Sequence, residues 1–397
     1  RILAQRLVWG VVSFPSGAMV GKDGSPSKRQ RVGGSAIAAV LLLSACLSPH
    51  RAAGGAAPTV TLALDSKCIL GESPVWDAKM RRLHFVDING KLLHSFDPKS
   101  SKCSTVDMGE EVGCVVPYKK QRVLVAGVSQ VWQVDFKGKK DGETTDGTLL
   151  PGHFAIVPES EMEAMDNPGE DPSLQALPGF RFNDGKCDPQ GRFLVGTMNK
   201  DWRDPAARKG RLFRMVEPLP LRNEDDLDGI VHQYGPNPVL KPIISEVTLS
   251  NGMAWGRSKG RDAALPYDLF YFIDSAKQTV DVFGYDDESG DIDLGSRKTV
   301  VEVPTLEEGG GVPDGMTIDS EGMLWVALGE SGSVARYDPG TGEELMRVKL
   351  PVKRPTACTF GGDDLCDLYV TTREEKGEAA SEHWGGLFRV RVEGVKG

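Results

Sequence analysis

Six short runs of this chain read as variants of one phrase, and their recurrence limits the fold more than any other feature. They are "LHFVD" from Leu83, "VLVAG" from Val123, "FLVGT" from Phe193, "LFYFID" from Leu269, "LWVAL" from Leu324 and "LYVTT" from Leu368. Each is apolar and rich in β-branched or aromatic residues, the composition of a strand. Most lead through a polar turn to a second strand ending near "YD" or "FR": "HSFDP", "VWQVD", "LFRM", "VFGYDDESG", "ARYDPGTG", "GLFRVRV". Six such units, with no long amphipathic helix between them, predict an all-β chain folded as a six-bladed β-propeller, each blade a four-stranded meander. A sandwich or barrel would account for hydrophobic alternation but not for the return of whole phrases. The 47 Gly and 25 Pro agree, because short strands need frequent turns, and 397 residues at 40% hydrophobic are ample for a large core.

A second repeat lies just upstream of the strands. Glu72, Asn183 and Asp314 each stand five residues before an Asp (Asp77, Asp188, Asp319), and Asn251 opens a fourth copy, "LSNGMAWG". In that copy the insertion "RSKGRDAALPYD" precedes the strand. The later Asp reads as a turn residue. The earlier polar residue needs another reason. Equivalent positions of successive blades face one another around a propeller's axis, and the ring would read Glu72, Gly113, Asn183, Asn251, Asp314, Cys358. Carboxylates converging in a narrow channel repel and are costly to desolvate unless something binds them. A hard divalent cation, which prefers oxygen ligands, satisfies both demands. Taken singly, each of these residues would be read as an Asx-turn or strand cap; four in register favour a site.

At these residues the chain resembles the senescence-marker-protein/gluconolactonase family. The resemblance runs from about Thr61 to the end and is carried by "LGESPVWD", "RFNDGKCDPQGRFLVGTM", "LSNGMAWG", "YFIDSAKQTVDVFGYD", "PDGMTIDSEGMLWVA" and "GGLFRVRVEGVKG". It implies a six-bladed propeller with one divalent metal in the channel, and hydrolysis of sugar lactones. Carried over, Glu72, Asn251 and Asp314 match the metal ligands, Arg181 and Asn183 match substrate-binding residues, and Asp314 also matches the catalytic acid/base. Asp201 stands where regucalcin-like members have a substrate-binding Glu, eighteen residues after Asn183. The shorter carboxylate and the neighbouring Trp202 bear on substrate identity more than on the chemistry. The resemblance implies calcium or zinc first as the cation, with magnesium and manganese also acceptable, and a small sugar lactone as partner. Two alternatives remain open from sequence: a non-catalytic calcium-binding regulator, and a paraoxonase-type hydrolase of aryl esters or organophosphates.

Other chemistries find less support. The formal charge of -9 and pI of about 5.4 repel phosphate backbones, which argues against nucleic acid. There is no G-x-S-x-G elbow, no HExxH and no P-loop motif. The six His form no spaced pair, and His84 and His94 read as packing residues in blade strands. The acidic "DDESGDID" at 286–293 reads as a solvated hairpin rather than an EF-hand loop. "EEGGG" at 307–311 reads as a flexible loop near the channel mouth. Seven Cys without CxxC spacing read mostly as small buried hydrophobes, with a Cys358–Cys366 bridge conceivable.

Two segments fall outside the repeat. Residues 1–58 contain a basic stretch after Met19, the apolar "AIAAVLLLSA" and a Gly/Ala/Pro-rich run. This is the layout of a signal peptide, with "LSAC" at 43–46 resembling a lipoprotein cleavage box; an organelle transit peptide or a disordered extension are the alternatives. The protein would then be exported or organellar, and otherwise cytoplasmic. The propeller is expected over residues 59–397, interrupted at about 138–178 by an acidic, Pro/Gly-rich insertion readable as a surface loop or a lid.

Overall fold

The computed structural model describes residues 58–397, apart from 119–120, 129, 137–140, 143, 147–154, 157–178, 205, 208, 217–238 and 378–379. Residues 1–57, where the leader is expected, and most of the 138–178 insertion therefore lie outside the described residues. Every described strand belongs to one of six blades. Strand β1 (Thr59–Leu64) comes first. The first blade is β2 (Gly71–Asp77), β3 (Arg82–Asp87), β4 (Leu92–Asp97) and β5 (Lys102–Asp107). Next come β6 (Cys114–Pro117), β7 (Arg122–Ala126) and β8 (Gln130–Asp135), followed by the short β9 (Thr144–Asp146) and β10 (Ala155–Ile156). The third blade is β11 (Phe180–Cys187), β12 (Phe193–Asn199), β13 (Gly210–Val216) and β14 (Val239–Val247). The fourth is β15 (Ser250–Gly256), β16 (Leu269–Asp274), β17 (Thr279–Tyr285) and β18 (Ile292–Glu302). The fifth is β19 (Val312–Ile318), β20 (Leu324–Gly329), β21 (Ser333–Tyr337) and β22 (Glu344–Lys349). The sixth is β23 (Pro355–Gly361), β24 (Asp367–Thr372) and β25 (Leu387–Arg391).

The six phrases of the sequence are the second strands β3, β7, β12, β16, β20 and β24. The sixth blade lacks a fourth strand of its own, and β1 supplies it by pairing antiparallel with β25 from Thr59↔Arg391. This closes the ring between the two ends of the propeller. The inner strands β2, β6, β11, β15, β19 and β23 touch in a closed circuit around the axis.

Alternation along each strand sends apolar side chains to both faces of the blade, because each blade is covered on both sides by its neighbours. Six apolar clusters result, one per seam. Phe182, Phe213 and Cys114 pack between blades two and three, and Trp325, Phe360 and Phe388 between five and six. Each fully buried Phe of such a seam contributes roughly 1.5–3 kcal/mol. His84 and His94 join these seams, stacked on Phe136 (5.3 Å between centroids) and Phe85 (4.7 Å). All six described cysteines are free, so Cys358 and Cys366 form no bridge. Among the described residues no helix is long and apolar enough to cross a membrane.

Two stretches of the insertion are strands on the outer rim. β9 adds a fifth strand to blade one by parallel pairing with β5, and β10 pairs with β8 on one side and β14 on the other. These parts are built into the blade edges rather than folded over the channel. The acidic segment 286–291 is the hairpin turn between β17 and β18, closed by Asp286 N donating to Asp291 O at 3.0 Å. The glycine loop after β18 is ordered by its own bonds, Gly310 N to Thr305 O (2.8 Å) and Thr305 N to Glu308 Oε2 (3.0 Å).

Candidate functional site

The candidate site is built where the inner strands break register. Pairing skips two residues between Phe182 and Gly185, Ser250 and Met253, and Pro313 and Met316, leaving Asn183, Asn251 and Asp314 as the first unpaired residues. In β2 the break follows Glu72, where Ser73 takes a left-handed φ of 50°. Such bulges twist a strand locally and re-aim its side chains. Here the repetition on four inner strands brings four polar residues to one end of the channel, called the mouth below.

Each bulge is held from behind. The Asp87 carboxylate at the end of β3 accepts from Ile69 N and Leu70 N, both at 2.9 Å, and so fixes the chain leading to Glu72. The Asp274 carboxylate does the same for Asn251, accepting from Thr248 N (3.1 Å) and Leu249 N (2.9 Å). Blade two has no side chain in the ring: a β-carbon on Gly113 would lie 2.4 Å from the Phe182 carbonyl oxygen. Blade six differs from expectation. Its register break falls between Pro355 and Ala357, so Thr356 holds the ring position, donating to the Gly71 carbonyl of blade one. Cys358 lies two residues further along, with its thiol on the Trp325 carbonyl (3.4 Å) in an apolar seam. The sequence spacing misplaced it because this bulge is one residue shorter than the others.

The polar groups form a continuous chain of contacts. Arg181 donates through one terminal nitrogen to Asn183 Oδ1 (2.7 Å) and to the Phe182 carbonyl (2.9 Å). Asn183 Nδ2 donates to Asn251 Oδ1 (2.8 Å) and to the Ser250 carbonyl (2.7 Å). Asn251 Nδ2 donates to Ser275 Oγ (2.6 Å), whose hydroxyl donates in turn to the Pro313 carbonyl (2.6 Å). With both amide nitrogens committed, the two amide oxygens are fixed, and each keeps a lone pair.

The carboxyls are under electrostatic stress. Burial first, then the charges of Asp314 and Asp184, push the Glu72 carboxyl well above the usual carboxylate range. Asp314, half-buried at the mouth, is pushed up to about 8 by desolvation and by Asp184, against the pull of Arg373 and Arg181. The Arg181 guanidinium is pulled down by burial and supported by Glu111, Glu72 and Asp314. Among the described residues, no three His, Cys, Asp or Glu converge as a ready metal cluster. The donor set is instead two carboxylates with amide oxygens, which suits a hard cation. Two carboxylates crowded until they resist ionising are relieved by a divalent charge, so the residues present fit such a cation.

Four further residues belong to this region and were not found from sequence. Asp184, buried next to Asn183, faces Lys186, whose Nζ reaches across the channel to the Met316 carbonyl at 2.7 Å. Both line a cavity of about 20 Å³ on the axis, walled also by Ser73, Val115 and Cys358. "NDGK" carried this signal, since opposite charges two apart on a strand share a face. Ser275 orients Asn251 as described. Arg373 is the fourth: Leu70 and Arg373 form an isolated bridge between the approach to β2 and the end of β24. Among the described residues its buried Nε has no hydrogen-bond partner, and its charge acts on both Asp314 and Arg181. Asp201, by contrast, is exposed in the turn after β12, on the mouth side where Phe180 pairs with Asn199. Among the described residues its carboxylate has no partner; its own N–H donates to Asn199 Oδ1 at 2.9 Å.

Comparison with known proteins agrees with this architecture. Residues 70–374 match the profile of the SMP-30/Gluconolactonase/LRE-like region. Regucalcin of Danio rerio is 33% identical over 342 residues, covering 85% of this chain and 96% of its own. A putative sugar lactone lactonase, YvrE, of Bacillus subtilis (strain 168) is 30% identical over 337 residues, covering 84% of this chain and 94% of its own. Among solved structures, a calcium-binding protein, regucalcin, from Agrobacterium tumefaciens superposes with a TM-score of 0.64 at 20% identity, covering 85% of this chain and 94% of that one. A profile match over most of the chain, joined to six blades and bulged inner strands, identifies the chain as a member of the SMP-30/gluconolactonase/LRE-like family.

Proposed function

We propose that the protein is a divalent-metal-dependent hydrolase that opens sugar lactones at the channel mouth. The observation that carries the reading is the convergence of two stressed carboxyls, Glu72 and Asp314, with fixed amide oxygens and a buried guanidinium, Arg181. Membership in a family that includes a protein named as a putative sugar lactone lactonase supports it. Glu72, Asn251 and Asp314 would hold the cation, with calcium or zinc foremost; magnesium and manganese accept the same donors. When bound, the cation supplies polarisation of the lactone carbonyl and stabilisation of the oxyanion.

The chain's own residues do the rest. Asp314 takes the proton of the attacking water and returns it to the ring oxygen as the acyl C–O bond breaks. Arg181 and Asn183 orient the sugar hydroxyls, Arg181 through a planar fork that stays charged even where burial opposes it. Asp201, exposed at the rim, accepts from a more distant hydroxyl. Arg373, whose charge acts on both Asp314 and Arg181, pairs with the carboxylate that ring opening creates. These polar contacts favour a polyol lactone over a lipophilic ester.

The test is the opening of D-glucono-δ-lactone in a pH-stat. The protein is stripped with chelator and then given calcium, zinc, magnesium or manganese singly. Activity that vanishes with the metal and returns with one ion is expected. A protein that binds the ion yet opens the lactone no faster than buffer would end this reading and leave non-catalytic calcium binding in its place.

A further inference from the structure

The far end of the same inner strands carries a second cavity, at the seam of blades four and five. In blades one, three and five the turn from inner to second strand is short: Asp77, Asp188 and Asp319 each cap it, accepting from two backbone N–H groups. Blade four has no such Asp. Its strand ends at Gly256, and the loop 257–268, the insertion noted in the sequence, takes the place of the turn. This loop and the turns after β19 and β21 enclose about 730 Å³, within the range of small-molecule sites. The cavity lies about five residues along β19 from Asp314, roughly 17 Å at strand rise.

Three features of the walls bear on what it holds. Its floor is apolar: Leu269, Val282, Val300 and Ile318 edge the seam's core, each only partly buried, and all four line the cavity. Tyr271 also lines it and is only 4% exposed, yet its hydroxyl bonds to nothing among the described residues. Gly256 makes room for that ring, since a β-carbon there would lie 2.8 Å from Tyr271 Cε2. The rim is charged, and its charges are unequally satisfied. Asp319 and Glu321 are both held by Arg336, and Asp338 accepts from Gly340 N at 2.7 Å. The cations keep spare donors. Arg257 lies 3.8 Å over the Tyr267 ring and, among the described residues, bonds only through its Nε, to the Leu265 carbonyl (2.7 Å). Lys259, on the same loop, has no ion-pair partner among the described residues. Arg261 binds the Pro266 carbonyl (3.1 Å) and Asp268 (3.5 Å).

The geometry points to a binding site for an amphipathic organic anion: an apolar body on the Leu269–Val300 floor, a hydrogen bond to the Tyr271 hydroxyl, and an acidic head group at Arg257 and Lys259. Arg336 holds Asp319 and Glu321, and Asp268 holds Arg261; Arg257 and Lys259 lie together on the insertion loop with no ion pair among the described residues, so the vacancy beside them is for negative charge. An orphaned hydroxyl above an apolar floor calls for a ligand acceptor rather than a purely hydrocarbon guest. This site is separate from the mouth and does not depend on the chemistry proposed there.

The test is a fluorescence titration of the whole protein with 8-anilinonaphthalene-1-sulfonate, an aromatic anion, beside its uncharged relative N-phenyl-1-naphthylamine. One saturable site for the anion is expected. Lys259→Glu, an exposed change that leaves the fold alone, should weaken the anion about tenfold and the neutral dye hardly at all. Tyr271→Phe should weaken the anion by about five- to tenfold, the worth of one hydrogen bond, and Val300→Trp should abolish binding of both dyes by filling the floor. Lactone opening should be untouched in all three, and their melting temperatures should match the parent's. Affinity indifferent to Lys259→Glu and Tyr271→Phe, or binding that survives Val300→Trp, would overturn the proposal.

Discussion

Two carboxylates of one blade, Asp314 within β19 and Asp319 just past its end, have opposite lives. Asp319 is saturated: one oxygen accepts from Glu321 N (2.9 Å) and Met323 N (3.0 Å), the other from Trp325 Nε1 (2.9 Å) and Arg336 Nε (2.8 Å). Asp314 is starved, with the Gly315 N–H as its hydrogen-bond donor and Asp184 and Glu72 as like-charged neighbours. The pattern recurs on β11. Asp188 accepts from Gln190 N (3.0 Å), Arg192 N (2.8 Å) and the Tyr285 hydroxyl (2.8 Å), whereas Asn183 reaches out to other polar groups at the mouth. At the far ends of β2, β11 and β19 the acid serves structure; the mouth keeps its polar groups for something outside the protein. A buried polar group left wanting is costly, and it persists where a ligand completes it.

The largest effects should separate these two ends. Asp314→Asn should lower lactone opening by about 10²–10⁴-fold, with a melting temperature equal to or above the parent's, because a repelled carboxyl has been removed. Initial rates and calorimetric melting on the same sample check both halves. Asp319→Ala should do the reverse. Breaking a buried ion pair and leaving Trp325 Nε1 and two backbone N–H groups without their acceptor costs about 3–5 kcal/mol, visible in urea unfolding, while the fraction that stays folded keeps its turnover. If Asp319→Ala inactivates without destabilising, the division between the ends is wrong.

Smaller changes sharpen the picture of the mouth. Arg373→Met should cut kcat/KM by about 10–100-fold, the loss of one charge-assisted bond, while calorimetry finds the cation bound as before. Ser275→Ala frees the Asn251 amide and should weaken the cation by about tenfold, the usual penalty for losing a group that orients a ligand. The smallest effect is one of protons. Asp314, pushed up to about 8, is largely protonated at pH 7 without the cation. Cation binding should therefore release protons at pH 7, release fewer at pH 9, and tighten between them, as titration calorimetry in two buffers would read. The sign for stability follows. A carboxyl raised from its ordinary 3.8 adds stability to the metal-free fold at low pH, and that share is lost as pH rises through about 8.

The sequence was most legible where local composition and repetition coincide. All six second strands stood out because each is a short apolar run bounded by turns, and the polar residues ahead of four of them turned out to lie at strand bulges on one end of the channel. What escaped was set by closure of the ring. The charge of Arg373 acts on Asp314 because blade six is stitched back beside blade one, and nothing near "TTREE" announces that. Ser275 reads as an ordinary turn residue until blade five packs its Pro313 carbonyl against it. Thr356 replaced Cys358 because bulge length varies by one residue between blades, which spacing alone does not reveal. The strands β9 and β10 were hidden in a polar insertion, being too short to show an apolar period.

The central claim is that the starved residues at the mouth are a cation site. The most direct test is a crystal of the protein grown with manganese in place of calcium, read by anomalous scattering at the manganese edge. The account predicts one strong peak among Glu72, Asn251 and Asp314, absent from crystals of Asp314→Asn. A peak on the acidic hairpin at 286–293 instead, or none at the mouth, would contradict it.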